Sequence, residues 1–320
     1  MPISSKNKTI TTRRKKMKKI LLALLLATIV FTEMQTSQAQ DQKVLAIIDT
    51  AIDSTKFSSI IHEVCFTTVK SKNLLQNMSC PNGELFMEGI GAASAPWPLQ
   101  VDFKTKLPVP GLLNVNGAVF HGDSMVKSAL KANPSLKIVF IRFNDVTSLG
   151  NPRGDAKALA LAIDWVSKNA EAYSIDALSI SQSAVDAKNQ NRCLTDTVTI
   201  NAVSSLNSKN IPVFAATGNN KRQDVVGFPS CVSGVIGVGA LANDTQLETV
   251  TNTGPGLDMV ALGKISITKY NGSESSASGS SVATVVSSAA YINNNSFKTF
   301  QEYLESLPKI LIKGTPYIRN

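Results

Sequence analysis

Apolar residues along the chain fall into short dense runs separated by longer amphipathic stretches. Val44–Ile48 (VLAII) and Lys137–Phe143 (KIVFIRF) are nearly continuous apolar runs of strand length, the pattern of strands covered on both faces. Ala177–Ile180, Ile211–Ala215 and Gly234–Val238 read the same way. Between them, Gly122–Asn133 is helical in character and stops before Pro134. Asp155–Asn169 spaces Leu159, Ile163 and Val166 at helical intervals, and Thr195–Ser208 reads as a further helix. Val282–Ile292 (VATVVSSAAYI) carries no charge, so a helix there has no solvent face and belongs in the interior. Residues 66–118 and 144–153 read as loops, while the tail Ser296–Asn320 repeats apolar positions helically at Phe297, Phe300 and Leu304. The alternation of strand and helix predicts a three-layer α/β/α fold around a mainly parallel sheet.

The N-terminus breaks this pattern. Ile20–Phe31 is an apolar run of about twelve residues, short of the roughly 20 that span a bilayer core. It follows a basic head and precedes Ser37-Gln38-Ala39, the arrangement of a secretory signal with a small-residue cleavage site. Residues 1–39 are therefore expected to be a signal peptide and residues 40–320 the exported domain. Met17-Lys18-Lys19 is a sufficient basic head for a start at Met17. No cysteine near the cleavage point offers a lipid anchor, and no stable membrane anchor is expected after cleavage.

This changes the meaning of the charge. The chain of 320 residues has a formal charge of +9, which invites a nucleic-acid reading. Removing residues 1–39 takes away eight of 32 basic and one of 23 acidic side chains and leaves +2. The basicity is an export address, and no nucleic-acid partner is expected. Export also implies that the four cysteines pair. They allow three pairings, of which the sequence-adjacent set Cys65–Cys80 and Cys193–Cys231 is favoured. No metal site is expected, since there is no C-x-x-C or H-E-x-x-H; His62-Glu63-Val64-Cys65 reads as a helix surface or loop.

Four residues at strand ends or helix starts carry candidate chemistry. Asp49 directly follows VLAII, His121 opens a helix, Asn219 follows the strand IPVFA in Ala216-Thr217-Gly218-Asn219, and Ser281 heads the uncharged helix. Each alone has a plainer reading as a cap or a turn residue. Their order, Asp, His, Asn, Ser, is the one found in subtilisin-type triads.

On these residues the sequence resembles the subtilase family of serine peptidases, over about residues 44–292. Ile47–Asp53 looks like the family's Asp segment, His121-Gly122 like its His segment, and Gly279–Thr284 like its Ser segment. Leu178–Ser183 resembles the substrate-lining strand. Phe228-Pro229-Ser230, Ile236–Ala240 and Thr251–Gly256 resemble further shared blocks. The resemblance implies a subtilisin-like fold and a secreted serine endopeptidase acting on protein or peptide substrates, as a monomer, with no required cofactor. It implies Ser281 as nucleophile, His121 as base, Asp49 as its orienting partner and Asn219 as oxyanion donor. Of the two histidines, only His121 has the family's surroundings.

The departures carry expectations of their own. After His121 the family usually continues Gly-Thr-His-Val-Ala; here Gly122-Asp123-Ser124-Met125-Val126 stands instead. Asp123 reads either as a first-turn acid favoured by the helix dipole or as a carboxylate that raises the pKa of His121. Val285 replaces the proline after the Ser segment, and Ser280 replaces threonine while keeping a hydroxyl. Only Gln40–Lys43 separate the expected cleavage point from the first strand, which leaves no room for an N-terminal folding pro-segment. Calcium finds no D-x-[DN]-x-[DN]-G loop to support it. Two competing readings stand beside this one, the first of them motivated by the missing pro-segment and the altered His segment. One is a subtilase-fold protein of weak or lost activity serving as a binding or maturation partner. The other is a hydrolase of other acyl groups, although no G-x-S-x-G elbow is present.

Overall fold

A computed structural model describes residues 42–68, 79–94, 120–143, 155–185, 187–269, 271–294, 297, 299–312 and 315–320, with strand pieces at 100–101, 108–109, 145–146 and 152–153. The chain divides into two units at Gln42/Lys43, and the second, Lys43–Asn320, carries the elements below. The expected signal segment 1–39 lies outside the described residues.

In chain order the strands and helices are β1 (Val44–Asp49), β2 (Ile60–Phe66), β3 (Phe86–Glu88), β4 (Gln100–Val101), β5 (Pro108–Val109), α1 (His121–Ala132), β6 (Lys137–Arg142), β7 (Asp145–Val146), β8 (Pro152–Arg153), α2 (Ala156–Asn169) and β9 (Ile175–Ile180). There follow α3 (Ala187–Thr195), α4 (Thr197–Ser208), β10 (Val213–Ala216), β11 (Val235–Asn243), β12 (Gln246–Leu247), β13 (Met259–Leu262), β14 (Lys264–Thr268), β15 (Glu274–Ser278), α5 (Ser280–Asn293), α6 (Phe300–Ser306), β16 (Lys309–Ile312) and β17 (Thr315–Arg319).

Among the described residues the main sheet has eleven strands, in the order β16-β17-β13-β11-β10-β9-β1-β6-β2-β3 with β12 on β11. Its centre is parallel: β1 pairs with β6 on one side and β9 on the other, and β9–β10–β11–β13 continue in parallel. The outer pairs β2–β3 and β16–β17 are antiparallel. Every residue of β1 is buried, which explains its unbroken apolar run. One face packs on α2 and α4 through Leu159, Ile163, Val166, Val203 and Leu206. The other packs on α1 and α5 through Met125, Val126, Val282, Val285 and Ile292. Removing each fully buried Val or Ile side chain of α5 from water contributes about 1.5–3 kcal/mol. The helix runs through Val285 without a break, as its lack of proline implies. Helix α2 begins where Asp155 accepts from the N–H groups of Lys157 (2.7 Å) and Ala158 (3.3 Å).

Several local expectations are corrected. His62-Glu63-Val64-Cys65 is neither helix surface nor loop but the middle of β2, in register with Val139–Arg142 of β6. The pattern was hidden because Glu63 is buried, its carboxylate accepting from Gly91 N–H (3.0 Å) and Ala93 N–H (3.1 Å). The helix expected over Thr195–Ser208 is α4, and a separate helix that the pattern did not predict, α3, precedes it and ends at Thr195. Asp196 ends α3 and caps α4 by accepting from Thr199 N–H at 3.1 Å. The polar α3 is tied to the fold by a disulfide rather than by an apolar stripe. The loop expected over 66–118 contains β3 and the β4–β5 pair, and that over 144–153 contains β7–β8. Among the described residues the tail is helical only at α6 and then forms the β16–β17 hairpin. The disulfides join Cys65 to Cys80 and Cys193 to Cys231, with Cα separations of 5.8 and 5.5 Å.

Candidate active site

The chain passes from β1 to β2 and then back to β6, both on one side of β1, while β9 and the strands after it lie on the other, so the order of connection reverses at β1. In open parallel sheets the crevice at the carboxyl ends beside such a reversal is where ligand groups gather. Asp49 is the last residue of β1 and is fully buried. His121 begins α1, Ser181 and Gln182 follow β9, Asn219 lies three residues after β10, and Ser281 is the second residue of α5.

Asp49 and His121 are joined directly. Asp49 Oδ1 accepts from His121 Nδ1 at 2.7 Å and from Thr50 N–H at 2.6 Å. Asp49 Oδ2 is buried without a hydrogen-bond partner among the described residues, so the imidazole is the main group answering this carboxylate. Burial alone would lower the pKa of His121. The charge of Asp49 and its hydrogen bond together outweigh that and hold the imidazole above its usual 6.5. The side chain remains 39% exposed, so the ring reaches the crevice surface. The expectation that Asp123 raises this pKa is not met: the upward shift comes from Asp49. Asp123 is instead a first-turn acid whose carboxylate accepts from the N–H of the N-cap residue Phe120.

Gly122 allows the close approach behind this pair. A Cβ there would stand 2.8 Å from Thr50 O, Ala51 O and Phe140 Cζ. Its N–H donates to Thr50 Oγ1 at 3.0 Å, stitching α1 to the turn after β1.

The Asn219 and Ser281 segments are likewise interlocked. Asn219 Oδ1 accepts from both Ser280 N–H and Ser280 Oγ at 3.0 Å, and Ser280 Oγ accepts from Gly218 N–H at 3.2 Å. Occupation of Oδ1 leaves the Nδ2 donors of the exposed Asn219 without a partner among the described residues. Gly279, at φ +103°, makes the turn into α5 that a side chain would disfavour and obstruct: its Cβ would lie 2.7 Å from Asn219 Nδ2. Asn252, fully buried, braces the same loop by donating to Thr217 O (3.0 Å) and accepting from Asn220 N–H (2.8 Å) and Arg222 N–H (3.1 Å). Its bracing role is tertiary and has no local sequence signal.

Ser281 Oγ donates to Ser181 O at 2.9 Å, and Ser181 Oγ returns a bond to Ser281 O at 3.1 Å. The hydroxyl proton therefore points at the strand end after β9 rather than at His121, a contact that sequence reasoning missed. Gln182 Nε2 lies 3.5 Å from His121 Nδ1. Among the described residues no group of three or more His, Cys, Asp or Glu is placed to hold a metal ion.

A buried carboxylate holding an imidazole at the end of a parallel strand, with a serine heading a helix and an asparagine after another strand of the same sheet, matches the elements on which the subtilase resemblance was drawn. The sequence model of the subtilase family (Peptidase_S8) matches residues 113–301, and the chain belongs to that family. It is 27% identical over 182 residues to alkaline elastase YaB of Bacillus sp. (strain YaB), 55% of this chain and 45% of that protein; the chain thus spans less than half the length of this curated relative. In fold it is similar to a cold adapted subtilisin-like serine proteinase (TM-score 0.55, 17% identity, 87% of this chain and 88% of the other). It is also similar to a lanthipeptide protease (TM-score 0.53, 14% identity, 81% and 75%). Asp49 precedes the family match, and it is the parallel pairing of β1 that brings it to His121.

Proposed function

We propose that the chain is an exported serine endopeptidase that hydrolyses protein or peptide substrates through Asp49, His121 and Ser281. The observation that carries this reading is the 2.7 Å contact between Asp49 Oδ1 and His121 Nδ1 at the buried end of β1. With Nδ1 committed to Asp49, the free nitrogen of a neutral His121 is Nε2, the atom a base must offer. Ser281 Oγ turns from Ser181 O toward that nitrogen as substrate binds, since hydrogen bonds of this kind often tighten only in the substrate complex. Its oxygen attacks the scissile carbonyl, the proton passes to His121, and Asp49 stabilises the imidazolium. The carbonyl oxygen becomes an oxyanion, answered by Asn219 Nδ2 and by the Ser281 N–H, one of the donors that the first turn of α5 leaves unused. His121 then gives its proton to the leaving amine, and water repeats the sequence on the acyl-enzyme. Export through residues 1–39 and the two disulfides belong to the same reading.

A fluorophosphonate probe tests it directly. The wild type is expected to label covalently and Ser281→Ala not at all, with peptide cleavage lost in the same variant. A folded wild type that neither labels nor cleaves would overturn the reading and favour a binding or maturation role.

A further inference from the structure

We propose that Asp123 is a positioning residue: its carboxylate clamps the turn after Asp49 to the start of the His121 helix and so sets the separation of the two. The proposal rests on the peptidase reading above for the meaning of that separation. Asp123 is fully buried in the first turn of α1. Its Oδ1 accepts from Asp53 N–H at 2.9 Å, and its Oδ2 accepts from Phe120 N–H at 2.9 Å. Asp53 lies four residues beyond Asp49, and Phe120 immediately precedes His121. One planar carboxylate thus closes a ring that runs through Asp49, the 50–53 turn, Asp123, Phe120 and His121. The Gly122 N–H to Thr50 Oγ1 bond and the Thr50 N–H to Asp49 Oδ1 bond cross-brace it.

The chemistry explains why a carboxylate is needed here. Two N–H groups 67 residues apart in sequence approach from different elements, and only an acid offers two acceptor oxygens in fixed geometry. A threonine, the residue the family resemblance leads one to expect, has one hydroxyl oxygen. An asparagine has one acceptor and turns an NH2 toward the remaining N–H. The buried charge is offset by two charge-assisted bonds, by the positive end of α1 and by Lys127 one turn along the helix, which feels the charge of Asp123. Of the other carboxylates at this corner, Asp49 faces His121 from β1, and Asp53 accepts from Thr55 Oγ1. Asp123 acts on the histidine through the backbone on either side of it and supplies no proton.

The test compares wild type, Asp123→Asn and Asp123→Ala. The first readout is the proton NMR signal of His121 Nδ1–H, recorded in the Ser281→Ala background so that it needs no activity. The second is kcat and KM on a peptide substrate. The Nδ1–H signal is expected to stay sharp with Asp123 present, to broaden in Asn and to vanish into exchange in Ala. In step, kcat is expected to fall about tenfold in Asn and about a hundredfold in Ala, the scale of a misplaced catalytic group, with KM changed less than twofold. A folded Ala variant with an unchanged signal and unchanged kcat would overturn the proposal, as would a rise in KM at constant kcat. Should the Ala variant not fold, the milder Asn variant gives the same two readouts. An inactive wild type sinks the peptidase reading alone, because the NMR comparison still decides the clamp.

Discussion

Gly122→Ala is the most direct probe of how closely α1 must approach β1. The added Cβ would sit 2.8 Å from two backbone carbonyl oxygens and an aromatic carbon, where ordinary contact begins at 3.4 Å. The carbonyls belong to Thr50 and Ala51 in the turn that leaves Asp49 and cannot swing aside as a flexible side chain would. The helix start and the turn must therefore part by about 0.6 Å, which stretches the Asp49–His121 contact from 2.7 Å to about 3.3 Å, beyond the charge-assisted range. Overpacking of this kind costs about 1–3 kcal/mol, and loosening the buried Gly122 N–H to Thr50 bond adds about 1 kcal/mol. For a domain of this size that lowers Tm by about 5–10 °C. Misplacing the base by a fraction of an ångström is expected to reduce kcat by about 10- to 100-fold while KM stays close to wild type. Thermal melts monitored by circular dichroism, paired with peptide-cleavage kinetics, check both figures. A variant with Tm within 1 °C of wild type and unchanged kcat would refute the close approach and the argument built on it.

Asn219→Ala removes the proposed side-chain oxyanion donor and the acceptor for both Ser280 groups; kcat is expected to fall about 10²–10³-fold, with a smaller loss of stability, in steady-state kinetics and melts. Because the base must be neutral, the raised pKa of His121 places the acid limb of kcat/KM above pH 6.5, and a pH–rate profile locates it. Stability has the opposite sign: the Asp49–His121 pair stabilises the fold fully below pH 6.5, and that contribution is lost as pH rises through the raised value. The Tm difference between wild type and His121→Ala should shrink over the same interval. Replacing Cys193 and Cys231 by alanine opens a loop with a sequence separation of 38 residues. It should destabilise the fold by about 4 kcal/mol, against about 3 kcal/mol for the 15-residue separation of Cys65 and Cys80, measured by denaturant titration.

The elements legible in the sequence were those whose burial is uniform. VLAII of β1, KIVFIR of β6 and the uncharged α5 show their place because both faces, or the whole surface, meet apolar neighbours. The elements that escaped have mixed surroundings. In β2 a buried glutamate satisfied by backbone N–H groups interrupts the apolar pattern, α3 is tied down by a disulfide, and the β16–β17 hairpin closes a sheet edge with exposed residues such as Leu311.

The same division holds at the site. The sequence by itself determined the kind of chemistry: an acid after a buried strand, a histidine opening a helix, an asparagine after a strand and a serine heading a buried helix, in that chain order. It also determined that residues 40–320 are nearly neutral. Tertiary structure alone decided which oxygen of Asp49 holds His121, that the Ser281 hydroxyl donates a hydrogen bond to Ser181 O, that Asn252 braces the Asn219 loop, and that Asp123 joins Asp53 to Phe120. Those contacts join residues 35 to 100 positions apart, or set the angle between elements, and a linear pattern of apolar and polar positions records what an element faces, not which distant partner it meets.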